Sequence, residues 1–212
     1  MALKKFEPLK PYLNKDLLEC GVDEAGRGCL AGSVFAAAVI LPKNFDNSLL
    51  NDSKQLTDKQ RRELRPIIEQ NALAYSVCEV TNIEIDKINI LQASILAMNR
   101  AVKKLKIKPE FLLIDGNRFH TDTTIPFKTI IKGDSKFMSI AAASILAKTY
   151  RDDAMIKLAQ QYPTYNWQKN KGYPTKEHRL AIKEFGTTPL HRLSFNLLEE
   201  RSLFDYDNIS NT

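Results

Sequence analysis

The chain has 212 residues, of which 43% are hydrophobic and 26% are charged, and these proportions exclude an intrinsically disordered protein. Its 31 basic and 25 acidic residues give a net charge of +6, which mildly favours a polyanionic partner but is equally compatible with an ordinary basic enzyme. The three cysteines form no CxxC pair, and no run of 18 apolar residues occurs, which argues against a disulfide framework, a zinc knuckle and a membrane span. We therefore expect a soluble, cytoplasmic chain without a membrane partner, built as one domain of ordinary size.

Short apolar runs and helix-capping signals alternate in the first half of the chain. Thr57-Asp58-Lys59-Gln60 has the spacing of a capping box, which predicts the start of a helix. The glycine-rich turn after Val22 separates two apolar runs that predict successive strands. The expected elements are strands over Leu17–Val22 and Val34–Leu41, a helix from Thr57 towards Gln70, and a strand over Leu73–Val80.

The second half begins with another capping box, from Thr81 to Glu84, which predicts a longer helix. Apolar residues recur in it at steps of three and four, as expected for a helix face that packs on the core: Leu91, Ile95, Met98, Val102 and Leu105. The elements expected after it are strands over Phe111–Ile114 and Phe127–Ile131, a helix over Ser139–Lys157 and a helix after Thr175. This order predicts an α/β fold with a mixed sheet flanked by helices.

Four acidic residues stand where predicted strands meet turns. Asp23 and Glu24 close the first strand, Asp115 closes the fourth, and Asp134 follows the fifth at a helix start. If these strand ends lie side by side, the carboxylates converge and require a cation, because like charges raise one another's pKa. Oxygen ligands suit Mg²⁺ or Mn²⁺, and such ions support phosphodiester hydrolysis. The competing interpretation is that these acids merely cap helices and begin turns.

Strand geometry places a condition on this metal-site hypothesis. Successive residues of a regular strand point to opposite faces, so Asp23 and Glu24 share a metal only if the turn from Ala25 breaks the pleat. Zinc fits poorly, because His120, His178 and His191 are widely spaced in the sequence and have no cysteine at ligand spacing.

Two other segments have the composition of a nucleic-acid contact. Gly26-Arg27-Gly28 combines a backbone that a ligand can approach with an arginine that can bridge to phosphate, although a tight turn with a solvated arginine explains it equally well. The segment from Tyr162 to Tyr173 interleaves aromatic rings with lysines, and those rings either stack on bases and sugars or pack on the core.

Five motifs together resemble ribonuclease HII, the type 2 ribonuclease H of bacteria. GVDEAGRG, NDSKQLT, LLIDGN, KGD followed by AAASILAK, and NKGYPTKEH occur in the family's order between Leu18 and Phe195. The resemblance implies a ribonuclease H-like fold with a mixed five-stranded sheet over about residues 18–155 and a helical C-terminal extension over 156–212 that contributes to substrate binding. It also implies an endoribonuclease that hydrolyses the RNA strand of RNA·DNA hybrids. Cutting at single ribonucleotides embedded in duplex DNA is implied too, with 5′-phosphate and 3′-hydroxyl ends.

The same resemblance assigns roles to individual residues. The metal-binding and catalytic acids are Asp23, Glu24, Asp115 and Asp134, with Mg²⁺ or Mn²⁺ as the cofactor. The residues that contact the substrate are Gly26, Arg27, Gly28, Lys54 and Tyr173. Cys29 departs from the family, which usually has proline after the GRG motif. No obligate protein partner is implied, and we expect a monomer.

Two alternatives come from other functional classes. A catalytically silent nucleic-acid-binding module would lack one of the four acids, and none is missing. A junction resolvase of the wider ribonuclease H-like superfamily would have no reason to carry GRG together with KGYPT. Ribonuclease HIII is a poorer match, because it typically has an additional N-terminal domain and a different turn after its acidic pair.

Overall fold

The computed structural model describes residues 8–45, 50 and 56–198. The strands are β1 (Glu19–Ala25), β2 (Val34–Ile40), β3 (Ala74–Val80), β4 (Phe111–Asp115) and β5 (Phe127–Ile130). The helices are α1 (Asp58–Asn71), α2 (Asn82–Lys104), α3 (Met138–Gln161), α4 (Trp167–Asn170) and α5 (Lys176–Phe185), with short 3-10 turns at Gly133–Ser135 and Pro163–Tyr165. In the described part of the chain, no helix is both long enough and apolar enough to cross a membrane.

The five strands form one mixed sheet in the order β3-β2-β1-β4-β5. The pairs β1–β2 and β2–β3 are antiparallel, whereas β1–β4 and β4–β5 are parallel. Because β1 and β4 run in the same direction side by side, their C-terminal ends meet at one edge of the sheet, and Asp23 and Asp115 lie at those ends. The mixed five-stranded α/β architecture expected from the sequence is confirmed.

Helices cover both faces of the sheet. Cys20 and Val22 of β1 pack in one apolar cluster with Ala93, Ala97 and Met98 of α2. The opposite face carries α1 and α3, whose apolar residues pack with those of β2 in a second cluster. Alternate residues of β1 therefore face α2 and α3, which is the period-two pattern of a regular strand.

Helix α3 approaches β1 closely at Gly21. A Cβ atom at Gly21 would lie 2.1 Å from the backbone carbonyl carbon of Ser139, so only glycine permits this contact. The adjoining face of α3 is Ala-rich, and Ala141, Ala142 and Ala143 are fully buried there. Small residues on both sides thus bring the α3 backbone directly onto the sheet.

The predicted helix starts are confirmed, because Thr57 and Thr81 both form capping boxes, with Gln60 and Glu84 respectively. The predicted end of the first strand is wrong. The strand continues through Ala25 and keeps its pairing with β2 at Asp23 and Glu24, since the backbone hydrogen bonds of the ladder outweigh the polarity of these side chains.

Helix α2 contains an interruption that the sequence pattern does not predict. Asn89 has φ 66° and ψ 163°, outside the helical region, and its side chain accepts a hydrogen bond from the backbone N–H of Gln92 at 3.1 Å. Asn89 therefore acts as the N-cap of a second helical segment, a role for which asparagine is well suited. The predicted apolar stripe lies beyond this point, and its members Ile95, Met98 and Val102 are buried.

The C-terminal part packs around a cluster of its own. Trp167 and Tyr165 are buried among Leu30, Met155 and Ile182. For these two rings the core-packing interpretation of the aromatic segment is therefore correct. Helix α5 follows Thr175, as predicted, and Thr175 caps it by accepting a hydrogen bond from the backbone N–H of His178.

Candidate active site

A cavity of about 390 Å³ opens where β1 and β4 end, and we call it the acid cavity. Its lining includes the carboxylates of Asp23, Glu24 and Asp115. Asp23 is 4% exposed, and its Oδ1 accepts a hydrogen bond from the Glu24 backbone N–H at 2.7 Å. Asp115 Oδ1 accepts one from the Gly133 backbone N–H at 2.6 Å. Three of the four predicted acids thus border one cavity.

The electrostatics of the acid cavity favour a cation. Burial raises the pKa of Asp23 well above its usual range, and the negative charges of Glu24 and Asp115 raise it further. Burial also raises the pKa of Glu24, which the nearby Arg27 opposes and Asp115 reinforces. The folded chain therefore disfavours the ionised form of both carboxylates, and a bound cation would favour it.

Glu24 points to the other face of β1 from Asp23, as strand alternation requires. It reaches both the acid cavity and a second cavity of about 290 Å³ beside α2, which Arg27, Asn117 and Arg118 also line. Glu24 Oε1 pairs with Arg27 Nη1 at 3.2 Å. Its Oε2 is buried and has no hydrogen-bond partner among the described residues. The pleat is therefore unbroken at Glu24, so the predicted break is wrong. The condition set by strand geometry is too strict, because Glu24 lines the acid cavity together with Asp23 without such a break.

The possible metal ligands of the acid cavity suit a hard divalent cation, because they are carboxylate oxygens. One of them, Glu24 Oε2, is buried without a hydrogen-bond partner among the described residues. Within the described ranges, however, no three side chains of His, Cys, Asp or Glu are grouped closely enough to hold an ion as they stand. Asp23 and Asp115 each accept a hydrogen bond from a backbone N–H with one oxygen, and Glu24 accepts one from the Arg27 side chain, so each carboxylate keeps a second oxygen.

The fourth predicted acid does not line the acid cavity. Asp134 is buried in the 3-10 turn after β5 and lines neither of the two cavities. The turn that carries it is nevertheless tied to the site, because the N–H of the preceding Gly133 binds Asp115. Its role as a metal ligand stays a prediction.

Helix α3 contributes two residues to which the sequence analysis assigns no role, although both belong to the AAASILAK motif. Ser144 and Lys148 line the acid cavity, and the Ser144 side chain hydrogen-bonds to Asp23. Lys148 Nζ pairs with Asp152 Oδ1 at 2.7 Å. Residues 144, 148 and 152 recur at steps of four in an otherwise Ala-rich helix, and that polar stripe is the signal that could have identified them.

The Gly26–Gly28 turn and Tyr173 lie together beside the acid cavity. Gly26 has φ 99°, and a Cβ there would lie 2.0 Å from Arg151 Nε, so the backbone requires glycine. Gly28 is exposed, and a Cβ at this position would have no neighbouring atom within 4 Å. Tyr173 is half-buried and lines the cavity, with Lys148 Nζ 5.2 Å from its ring centroid. The predicted substrate residue Lys54 lies outside the described residues.

Two fully buried arginines hold the segment that follows the turn. Arg151 donates to the carbonyls of Lys171 at 2.9 Å and Ala31 at 3.3 Å. Arg192 donates from Nη1 to the Arg27 carbonyl at 3.0 Å and from Nε to the Gly32 carbonyl at 2.9 Å. The turn is thus fixed to both α3 and the C-terminal part, and the sequence analysis predicts a role for neither arginine.

A buried histidine pair supports Tyr173 from below. The Trp167 indole N–H donates to His178 Nε2 at 3.0 Å, and His191 Nε2 lies 3.2 Å from the same atom. His191 Nδ1 accepts from the Thr188 N–H at 2.9 Å, so its Nε2 carries the proton and donates to His178. His178 Nδ1 in turn lies 3.0 Å from the Tyr173 carbonyl and donates to it. Both rings are therefore neutral.

Comparisons with known proteins agree with this geometry. A family model described as Ribonuclease HII matches residues 20–198. The chain is 67% identical over 195 residues to the ribonuclease HII of Bacteroides thetaiotaomicron, covering 92% of this chain and 98% of that one. The crystal structure of ribonuclease H2 from Pyrococcus horikoshii has a TM-score of 0.71 at 27% identity, covering 84% of this chain and 94% of that one. A structure of Bst-RNase HIII in complex with Mn²⁺ has a TM-score of 0.69 at 20% identity, covering 84% and 67% respectively, and so shares the fold.

Proposed function

This chain belongs to the ribonuclease HII family, whose members are endoribonucleases that act on RNA–DNA hybrids, and we propose that it also cuts at single ribonucleotides embedded in duplex DNA. The proposed products carry 5′-phosphate and 3′-hydroxyl ends. One observation carries the proposal: three of the acids, Gly26 at the start of the turn and Tyr173 border the same cavity, so a phosphodiester at the acids would place its sugar beside the turn.

We propose Asp23, Glu24 and Asp115 as the residues that hold Mg²⁺ or Mn²⁺, with Asp134 as a further ligand. The support is the raised pKa of Asp23 and of Glu24 and the unpartnered Oε2 of Glu24. The Mn²⁺ bound to a ribonuclease HIII of the same fold agrees with this choice of ion. When bound, such an ion activates water and stabilises the leaving oxygen of a phosphodiester.

The chain's own residues prepare this site for the reaction. The Ser144 side chain and the Gly133 N–H fix the orientations of Asp23 and Asp115, so these carboxylates are placed before substrate arrives. Lys148, held by Asp152, presents positive charge to the same cavity and is suited to a phosphate oxygen of the scissile strand.

Recognition of the ribonucleotide falls to the turn and the tyrosine. The 2′-hydroxyl distinguishes RNA from DNA and can both donate and accept a hydrogen bond. We propose that the main chain of Gly26–Gly28 binds this hydroxyl, that Arg27 and Lys54 contact phosphate, and that the Tyr173 ring stacks on the adjoining sugar. The half-buried position of Tyr173 at the cavity wall supports the stacking role.

The remaining expectations concern the molecule as a whole. We propose that residues 1–212 form one catalytic unit whose C-terminal part supplies Tyr173 and the supports of the turn. Its substrates are RNA·DNA hybrids and DNA duplexes that contain ribonucleotides, and it acts as a cytoplasmic monomer.

The test uses four labelled substrates with Mg²⁺: a duplex with one ribonucleotide, an RNA·DNA hybrid, an all-DNA duplex and a four-way DNA junction. We expect cleavage of the first two, with one cut beside the embedded ribonucleotide and a 3′-hydroxyl end that a polymerase can extend. Cleavage of the hybrid alone would refute the single-ribonucleotide activity. Cleavage of the junction would favour a resolvase instead, and binding without any cleavage would favour the silent binding module.

A further inference from the structure

The guanidinium of Arg192 is fully buried and lies under the Gly26–Gly28 turn. In the described part of the chain, no carboxylate oxygen lies within 4.0 Å of it, and its Nη2 has no hydrogen-bond partner. Its bonds instead go to two backbone carbonyls, those of Arg27 and Gly32. A buried cation without a carboxylate partner is costly, so a wholly structural role gives no reason for a charge at this position.

The bond to the Arg27 carbonyl fixes the orientation of one peptide plane. In a trans peptide the C=O and the following N–H point in opposite directions. Because the Arg27 carbonyl points inward to Arg192, the N–H of Gly28 in the same peptide points outward. Gly28 is exposed, and the space around its Cα is open. This N–H therefore faces the side from which a duplex approaches.

The same bond strengthens that N–H as a donor. A cation on the carbonyl oxygen polarises the peptide group, and hydrogen bonds in a chain reinforce one another in a low-dielectric environment. Arg192 is itself held in place, because its backbone N–H donates to the Leu30 carbonyl at 2.8 Å and its guanidinium lies 5.2 Å from the Phe195 ring centroid.

We propose that Arg192 is a positioning residue for ribonucleotide recognition, which orients and polarises the Arg27–Gly28 peptide so that the Gly28 N–H binds the ribose 2′-hydroxyl. This inference rests on the proposed function and names the donor and the residue that sets it. Arg192 touches no part of the substrate and acts only through this peptide.

The experiment measures the ratio of two dissociation constants, for an all-DNA duplex and for the same duplex with one ribonucleotide. Ca²⁺ replaces Mg²⁺, because its larger, more flexible coordination disfavours cleavage while it remains an oxygen-ligated ion. Arg192→Lys keeps the charge but cannot bind two carbonyls in a fork, and Arg192→Met keeps only the length. We expect the ratio to fall about 10-fold in both, with affinity for the all-DNA duplex within about 2-fold of the wild type.

The matched control is Arg179→Met. Arg179 also donates to two backbone carbonyls of the C-terminal part, those of Asn196 at 3.1 Å and Leu197 at 2.9 Å, and neither carbonyl belongs to the turn. We expect this variant to keep the wild-type ratio. In amide NMR spectra, the Gly28 proton should shift upfield in Arg192→Met and stay unchanged in Arg179→Met.

The outcomes separate this inference from the proposed function. A wild-type protein with no preference for the ribonucleotide duplex would refute recognition at the turn and, with it, the role of Arg192. A wild-type preference that survives in both folded Arg192 variants would refute the role of Arg192 alone. If Arg192→Met does not fold, the dissociation constants and the Gly28 amide shift of Arg192→Lys decide. An equal loss of affinity for both duplexes would also refute the role of Arg192.

Discussion

On one side of the Gly26–Gly28 turn lies the acid cavity, and on the other lie Arg151 and Arg192. In the cavity, burial and neighbouring acids raise the pKa of Asp23. Behind the turn, burial lowers the pKa of Arg192 to about 10, and the charge of Arg151 contributes. In each region burial disfavours the charged form of a side chain, and the two charges have opposite signs. The acids, however, line a cavity that a ligand can enter, whereas the arginines are fully buried and donate to backbone carbonyls, so the second region supports the turn from behind.

Removing an acid should give the largest effect. Asp23→Asn or Asp115→Asn should lower kcat at least about 10³-fold, because each removes a charged ligand of the proposed metal site. Folding should be retained, since each substitution relieves repulsion among buried carboxylates. The measurements are single-turnover cleavage with Mg²⁺ and thermal melting in EDTA.

Melting of the same variants provides the control for that prediction. Mg²⁺ should raise the Tm of the wild type by mass action and raise that of Asp115→Asn much less. A variant that cleaves at a near-native rate would remove its acid from the proposed metal site. Asp134→Asn is expected to impair cleavage as well, and an unchanged rate would confine the metal site to the three acids of the cavity.

The histidine pair beneath Tyr173 and the buried Asp23 change the free energy of unfolding in opposite directions as pH falls. Burial, followed by the charge of His178, lowers the pKa of His191 to about 4, and burial lowers the pKa of His178 as well. The unfolded chain therefore binds more protons below about pH 6.5, and the free energy of unfolding falls as pH drops towards about 4. His191 alone accounts for a loss of up to about 3 kcal/mol across that window.

Urea unfolding in EDTA between about pH 7.5 and about pH 4.5 measures this loss. His191→Gln should be less stable at the upper pH and show a shallower dependence; an identical slope would contradict the assignment of the loss to this pair. The raised pKa of Asp23 acts in the opposite direction. The stability that it contributes is present below its unfolded pKa and is lost as pH rises through its folded pKa, so Asp23 partly offsets the histidines.

Substitution of Tyr173 should have the smallest of these effects. Loss of stacking, worth roughly 1–3 kcal/mol, should lower activity of Tyr173→Ala on a single embedded ribonucleotide about 10- to 100-fold. Tyr173→Phe keeps the ring and should keep most activity. On a long RNA·DNA hybrid, where many registers are available, the Ala variant should lose less.

The structure also shows why Tyr173 needs a stability control. Its carbonyl binds His178, and its side chain hydrogen-bonds to the Cys29 thiol, so it has packing contacts besides the proposed stacking. Thermal melting of both variants therefore accompanies the rate measurements. Equal losses on the two substrates, together with a lowered Tm, would make Tyr173 a packing residue only.

Local signals in the sequence predict most of the fold. Thr57 and Thr81 are recognisable as caps because a capping box uses residues three positions apart. The predicted end of β1 is misplaced because charged side chains usually follow the end of an apolar strand, whereas here the backbone ladder to β2 continues through them. The break at Asn89 escapes prediction because it lies between the capping box at Thr81 and the apolar stripe from Leu91, and neither signal marks it.

The candidate site also contains residues that local sequence signals predict and residues that they do not. Asp23, Glu24 and Asp115 can be found because each belongs to a local motif at a strand end. Arg151 and Arg192 escape prediction because their contacts are with residues far away in the sequence, 118 positions for Ser33 and 165 for Arg27. Likewise, no local pattern links His178 to His191, and only the fold of the C-terminal part brings their rings together.

The contact at Gly21 has a mechanical consequence for the acid cavity. Between most packed layers of a protein, side chains can change rotamer and accommodate a small change in volume. At Gly21 the backbones of β1 and α3 meet directly, so no side chain lies between them to adjust in this way. A substitution there would be transmitted as a displacement of the whole helix, which moves Ser144 relative to Asp23. Gly21 therefore sets the distance between strand and helix, two residues before Asp23.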